Sequence, residues 1–166
     1  MGVNSNKQLV SFELFGKKCL VHSSDLVGVA RDCGTVVHPD LPNAISALVH
    51  WSGKIYPVLN LNAWARAQEN PKAPQPMFLF ASVSVNGVPF NFAVRISGYL
   101  KVFVQTEYEF ESGSPDESNF CFSGHFKNRN LPGEHHFLLS LNDLAKVFAV
   151  KIFENQESDG KKEKAA

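Results

Sequence analysis

Six histidines, three cysteines and three alternating glutamates are the residues of this 166-residue chain that could do chemistry. Their spacing supports none. His135 and His136 are adjacent, so on a strand they point to opposite faces and cannot share one metal. His22, His38, His50 and His125 lack ligand-type spacing. Cys19, Cys33 and Cys121 form no C-x-x-C pair of the metal or redox kind. Glu107, Glu109 and Glu111 alternate along one strand face, the pattern of a solvated face whose mutual repulsion water and salt screen. There is no G-x-S-x-G elbow, and no Walker or dinucleotide-binding glycine loop. The residues predict no catalytic centre, no metal and no cofactor.

Composition narrows the class further. Sixteen basic and sixteen acidic residues leave a formal charge of zero, whereas a nucleic-acid binder carries a basic footprint. No run approaches the ~18 apolar residues of a spanning helix, so no membrane insertion is expected. The polar start, Met1 to Lys7, has no basic stretch followed by an apolar run, which predicts no signal peptide. Widely spaced thiols read as free cysteines of a reducing, cytoplasmic compartment. Hydrophobic residues make up 44%, enough for a core.

The elements that would position any site read mainly as strands. Gln8 to Leu14 alternates apolar and polar residues, the period-2 signal of a half-buried strand. Cys19 to His22 returns after a turn at Gly16, and Leu26 to Val29 restarts. Thr35 to Pro42 reads as a loop. Ala44 to Trp51 reads as a helical turn running into a strand, Ser52-Gly53 as a turn and Ile55 to Leu61 as a strand. Pro57 cannot donate to a ladder, which predicts an edge or a bulge there. Asn62 is placed to cap a helix through Trp64 and Ala67. Pro71, Pro74 and Pro76 mark a stiff linker over 69–76.

The pattern then begins again. Phe78 to Val85 and Phe90 to Ile96 flank Asn86-Gly87, the strongest short hairpin signal in the chain. Tyr99 to Tyr108 predicts a further strand, and 110–118 a loop. Phe120 to Phe126 and Glu134 to Leu141 form another strand pair. Asn142 is expected to cap a helix through Phe148, and 154–166 reads as a charged flexible tail. Gly53, Leu59, Leu61 and Asn62 recur as Gly133, Leu139, Leu141 and Asn142, each eighty residues on. Such a repeat indicates duplication. It divides one domain over 8–150 into a lobe of about 8–68, the linker, and a lobe of about 77–150.

Fourteen phenylalanines are spread unevenly: two lie in 1–76 and eleven in 77–150. The pairs Phe78/Phe80, Phe90/Phe92 and Phe120/Phe122 put both rings on one strand face. This predicts a second barrel packed with rings where the first uses Val, Leu and Ile. Trp64 reads as core. Trp51, beside its turn, reads as either core or an interface anchor, since Trp combines large apolar area with one donor.

Several stretches together resemble the CheW-like domain family: Leu9-Val-Ser-Phe-Glu-Leu-Phe-Gly16, Leu26-Val-Gly-Val29, Leu41-Pro-Asn-Ala-Ile-Ser46, and Gly53-Lys-Ile-Tyr-Pro57-Val-Leu-Asn-Leu61. Asn86-Gly87, Gly124 and the stretch Gly133 to Leu141 extend the resemblance over about 8–150. It implies a mainly β fold of two intertwined five-stranded SH3-like barrels with short helices. It also implies a non-enzymatic signalling adaptor without cofactors. The implied partners are the regulatory domain of a CheA-type histidine kinase and a methyl-accepting chemoreceptor, in chemotaxis or type IV pilus motility.

On this chain the implied partner-binding positions are Leu26, Gly28, Val29, Ala47, Trp51, Ser52 and Gly53. Several depart from the family pattern. Ser52 stands where the family has Arg and Trp51 where it has Leu. Gly28 replaces an acid and Ala47 a glycine. Asn60 and the pair Val94-Arg95 stand where the family carries Asp before Leu and a Val-Asp pair. The alternative reading is a small-ligand or other protein-interaction module built on the Phe-rich second lobe.

Overall fold

The computed structural model describes residues 7–14, 16–31, 33–61, 77–104, 108–111 and 122–163. The expected helix with Trp64, the linker 69–76, Glu107, Phe120, Cys121 and most of the 110–118 loop lie outside them. The described residues hold strands β1 (Gln8–Leu14), β2 (Lys17–His22), β3 (Leu26–Arg31), β4 (Thr35–Val36), β5 (Ile45–Trp51), β6 (Lys54–Leu59) and β7 (Met77–Val85). These are followed by β8 (Val88–Val104), β9 (Tyr108–Glu111), β10 (Phe122–Asn128), β11 (His135–Leu139) and one α-helix, α1 (Leu141–Glu163), with a single 3-10 turn at Ser23–Asp25 between β2 and β3.

A single long strand organises the rest. β8 runs through the positions expected as two strands and changes partners midway. Up to Ile96 it pairs with β7, and from Ser97 it pairs with β1. The network therefore divides into two curled sheets, each with five strands of its own plus a segment of β8. One has the order β3-β7-β8-β6-β5-β4 and the other β8-β1-β2-β11-β10-β9. The fold is the mainly β, two-barrel CheW-like arrangement.

The duplication is visible in the ladders. β6 joins β8 in parallel at Val58↔Ala93, and β11 joins β2 in parallel at Leu138↔Leu20. Val58 and Leu138 are eighty residues apart. The same bulge recurs: the register slips between Ile45 and Ala47 opposite Leu59 and Val58, and between Phe122 and Gly124 opposite Leu139 and Leu138. In the first bulge the Ser46 hydroxyl donates to the Val58 carbonyl at 3.3 Å, giving the carbonyl across from the bulge a partner.

Each half, however, lends its leading hairpin to the other half's sheet. β1–β2 sits with β9–β11, while β7–β8 sits with β3–β6. Sheet boundaries and chain halves thus do not coincide, which corrects the reading of the Phe excess. Phe78 and Phe80 of β7 fill the centre of the sheet built from first-half strands, with Val49, Tyr56 and Val58. The other sheet's own centre is Leu9, Leu20 and Phe126. Between the sheets lies a shared core of Val10, Phe12, Val21, Leu79, Phe92 and Val94, among others, closed by Leu144 and Phe148 of α1.

Other local expectations shift for physical reasons. Val36 of the expected loop pairs with Leu48, forming the short edge strand β4. Pro57 is not at an edge: β6 lies between β5 and β8, and the β6–β8 register is confined to Val58↔Ala93, so the missing N–H breaks no run of ladder bonds. Ala44 precedes the strand without a helix, in a turn closed by Ile45 N–H donating to the Pro42 carbonyl at 2.8 Å. Ser140, not Asn142, caps α1: its hydroxyl accepts the Asp143 N–H at 3.2 Å, and its carbonyl accepts the Leu144 N–H at 3.0 Å. Helix α1 is long rather than short and runs to Glu163, through most of the expected tail.

The cap yields one test. Ser140→Ala should cost about 1 kcal/mol of stability, seen as a lowered urea midpoint, whereas Asn142→Ala should be near neutral. The second barrel yields another. His136 is buried at 3% exposure, and its pKa falls from 6.5 to about 4, chiefly through burial and then through Lys18 and His135. The folded chain thus holds it neutral while the unfolded chain protonates it below pH 6.5. Stability should fall as pH drops from about 6.5 to about 4, at roughly 1 kcal/mol per pH unit. Urea midpoints measured across that range should fall less steeply in His136→Phe; an equal slope would contradict a neutral buried His136.

Candidate functional site

Trp51 ends β5 and faces into the sheet's centre. Its ring lies nearly parallel to Phe80, with centroids 4.3 Å apart and planes 9° apart. Tyr56 meets Phe80 edge-on at 4.9 Å and stands 6.0 Å from Trp51. Such geometries add about 0.5–1.5 kcal/mol per pair beyond area burial. Tyr56 and Phe80 are buried, while Trp51 stays half-buried at the open end of the barrel. It therefore caps the core and also meets solvent.

Gly28 explains how the ring fits. A Cβ at this position would lie 2.2 Å from Cη2 of Trp51 and 2.6 Å from Cζ2. Only a residue without a side chain lets the indole lie against β3. Ala47 completes the floor of the same cluster, and Ala30 and Cys33 flank it. Immediately past Trp51 the chain turns through Ser52 and Gly53, at φ 49° and 76°. Both are exposed, and two successive positive φ values are what a tight hairpin of this twist needs.

The seven expected partner-binding residues therefore fall in three places. Gly28, Ala47 and Trp51 share one cluster, and Ser52 and Gly53 form the turn beside it. Leu26 and Val29 pack instead against the core shared by the two sheets. The slip in register between Leu26 and Gly28 leaves Val27 51% exposed on β3. Val27, Tyr56 and Phe80 were not singled out from sequence. The Phe78/Phe80 alternation carried a signal for Phe80; nothing local marked the bulge at Val27.

The titratable groups elsewhere serve structure. Cys19 is buried in the shared core, and burial pushes its thiol up to about 12, so it stays protonated. Lys18 and Glu134 form an ion pair between β2 and the turn before β11. His125 and His135 hold their rings 5.8 Å apart across β10 and β11. Among the described residues no group of three or more His, Cys, Asp or Glu could hold a metal. No described helix is long and apolar enough to cross a membrane.

Comparison with known proteins returns a fold rather than a sequence family. No family model matches the chain, and no curated protein matches it. Among solved structures it is similar to the crystal structure of the scaffolding protein TtCheW from Thermoanaerobacter tengcongensis. The TM-score is 0.64 at 17% identity, over 87% of this chain and 92% of that one.

The Trp51–Gly28 contact can be tested by a double-mutant cycle. Gly28→Ala should destabilise the protein by about 1–3 kcal/mol, because the indole must leave its stack on Phe80. In a Trp51→Ala background the same change should cost well under 1 kcal/mol. Urea unfolding of the four proteins measures the coupling, and equal costs in both backgrounds would remove the contact from the account.

Proposed function

We propose that the chain is a non-enzymatic signalling adaptor of the cytoplasm that couples chemoreceptors to a CheA-type histidine kinase. The observation that carries this reading is the CheW-like fold, which matches a scaffolding protein over nearly the whole of both chains. The partner surface is the open end of the first barrel, around exposed Val27, half-buried Trp51 and the Ser52-Gly53 turn. Its physics suits protein recognition: an aromatic anchor held rigid by a stack, beside a polar turn and an exposed aliphatic residue. Leu26, Gly28, Val29 and Ala47 act through packing that fixes this surface. The ligand-pocket alternative loses its motivation, because Phe78, Phe80, Phe92 and Phe148 are almost wholly buried in the cores.

The test is binding of the purified chain to the regulatory domain of a cognate kinase and to the cytoplasmic tip of a receptor. Wild type should bind at least one of them saturably. Val27→Glu, at an exposed bulge, should weaken that binding at least tenfold without loss of stability. Val150→Lys, on an exposed position of α1, should leave it unchanged. Wild type that binds neither partner would overturn the adaptor reading; an inert Val27→Glu would overturn only the surface assigned.

A further inference from the structure

The outer face of β4–β5–β6, opposite the ring cluster, carries an apolar row that meets water, bordered by the exposed His50. Val36 stands across from Leu48, and Leu48 across from Pro57, so the three form a row over the strands. Ile55 lies one step further along the face, opposite His50, and Val37 flanks its edge. Val36, Val37 and Ile55 are 62%, 73% and 64% exposed.

The duplication supplies an internal control. The same register positions on β9–β10–β11 are held by Glu111, His125, Phe137 and His135. One ladder, built twice, is mostly polar on this face in one sheet and wholly apolar at the same four positions in the other. Neither strand pairing nor the curl of the sheet demands apolar residues there. We propose that this face is where two copies of the chain meet, related by a two-fold axis.

Charge favours a second copy. A two-fold axis sets a patch against itself, so any charge in it meets its own like. The row Val36, Leu48, Pro57 and Ile55 carries none. The equivalent face of the other sheet places Glu109 opposite Lys127 and is a poor match for an apolar row. Area sets the strength. The exposed apolar surface is on the order of a few hundred Å², below the ~800 Å² per partner of a stable complex. Association is therefore weak and grows with concentration: a monomer when dilute, a dimer where copies are crowded. The inference does not depend on the adaptor reading.

Sedimentation velocity of the full chain alone, from about 5 to 500 µM, tests it. The weight-average mass should rise from monomer toward dimer over that range. Ile55→Lys and Val36→Glu, both at exposed positions, should each weaken association at least tenfold while thermal melting stays unchanged. Val102→Lys, equally exposed on β8, should associate like wild type. A chain that stays monomeric at 500 µM would overturn the proposal. So would dimerisation that ignores both substitutions.

Discussion

Everything in this fold depends on two hairpins whose leading strands are buried on both faces over Leu9–Phe12 and Met77–Ala81. Along β7, Met77, Leu79 and Ala81 enter the shared core while Phe78 and Phe80 enter the centre of one sheet. Along β1, Val10, Phe12 and Leu14 enter the shared core while Leu9 enters the centre of the other. A strand with apolar neighbours on both sides cannot slip by one residue without exchanging its two sets of side chains. At β7 that exchange would drive rings into space shaped for Leu and Ala. The shared core fixes the register of both hairpins, and the hairpins fix both sheets.

Interleaving follows from the same constraint. A lobe of ~60–70 residues is marginal alone. Placing each hairpin in the other half's sheet makes every large core draw on both halves of the chain. β8 carries this furthest, belonging to one sheet before Ile96 and to the other after it. The two barrels differ at matched positions. Tyr56, beneath Trp51, corresponds eighty residues on to His136. Phe80, opposite Ala93, corresponds to Ser11, opposite Leu20. One barrel is filled by rings, while buried Ser11, Asn128 and His136 all belong to the other.

These facts account for what could be read in the sequence. The eighty-residue repeat is a local pattern of Gly, Leu and Asn, and it marks the parallel strands that join each sheet. Asn86-Gly87 was legible because its positive φ values, 52° and 78°, are set by the turn itself. The origin of the Phe excess was not, since composition by chain segment cannot show that a hairpin crosses to the other half's sheet. The cap at Ser140 was obscured by Asn142, an equally good capping residue, because the choice rests on where the chain leaves β11. At the candidate site Trp51 stood out by type. Gly28 did not, because its reason lies twenty-three residues away in an indole ring that only the folded barrel brings over it.

That ring marks where the matched ends of the two barrels are closed differently. The ladder places Trp51 opposite Lys54 at the end of β5–β6. The matching position at the end of β10–β11 is Asn128, whose N–H donates to the Glu134 carbonyl at 3.2 Å. Its side-chain oxygen accepts the Asn130 N–H at 2.9 Å. The second barrel thus closes its turn with a local polar network, tied to β2 through the Lys18–Glu134 ion pair. The first closes its end with a large ring that requires Gly28 on β3, Phe80 on β7 and a two-residue turn. Closure alone needs no such arrangement, as Asn128 shows. A half-buried indole braced by Phe80 on β7 and lying against Gly28 on β3 is lost to any side chain at Gly28, so the ring is held by packing that strand pairing alone does not supply.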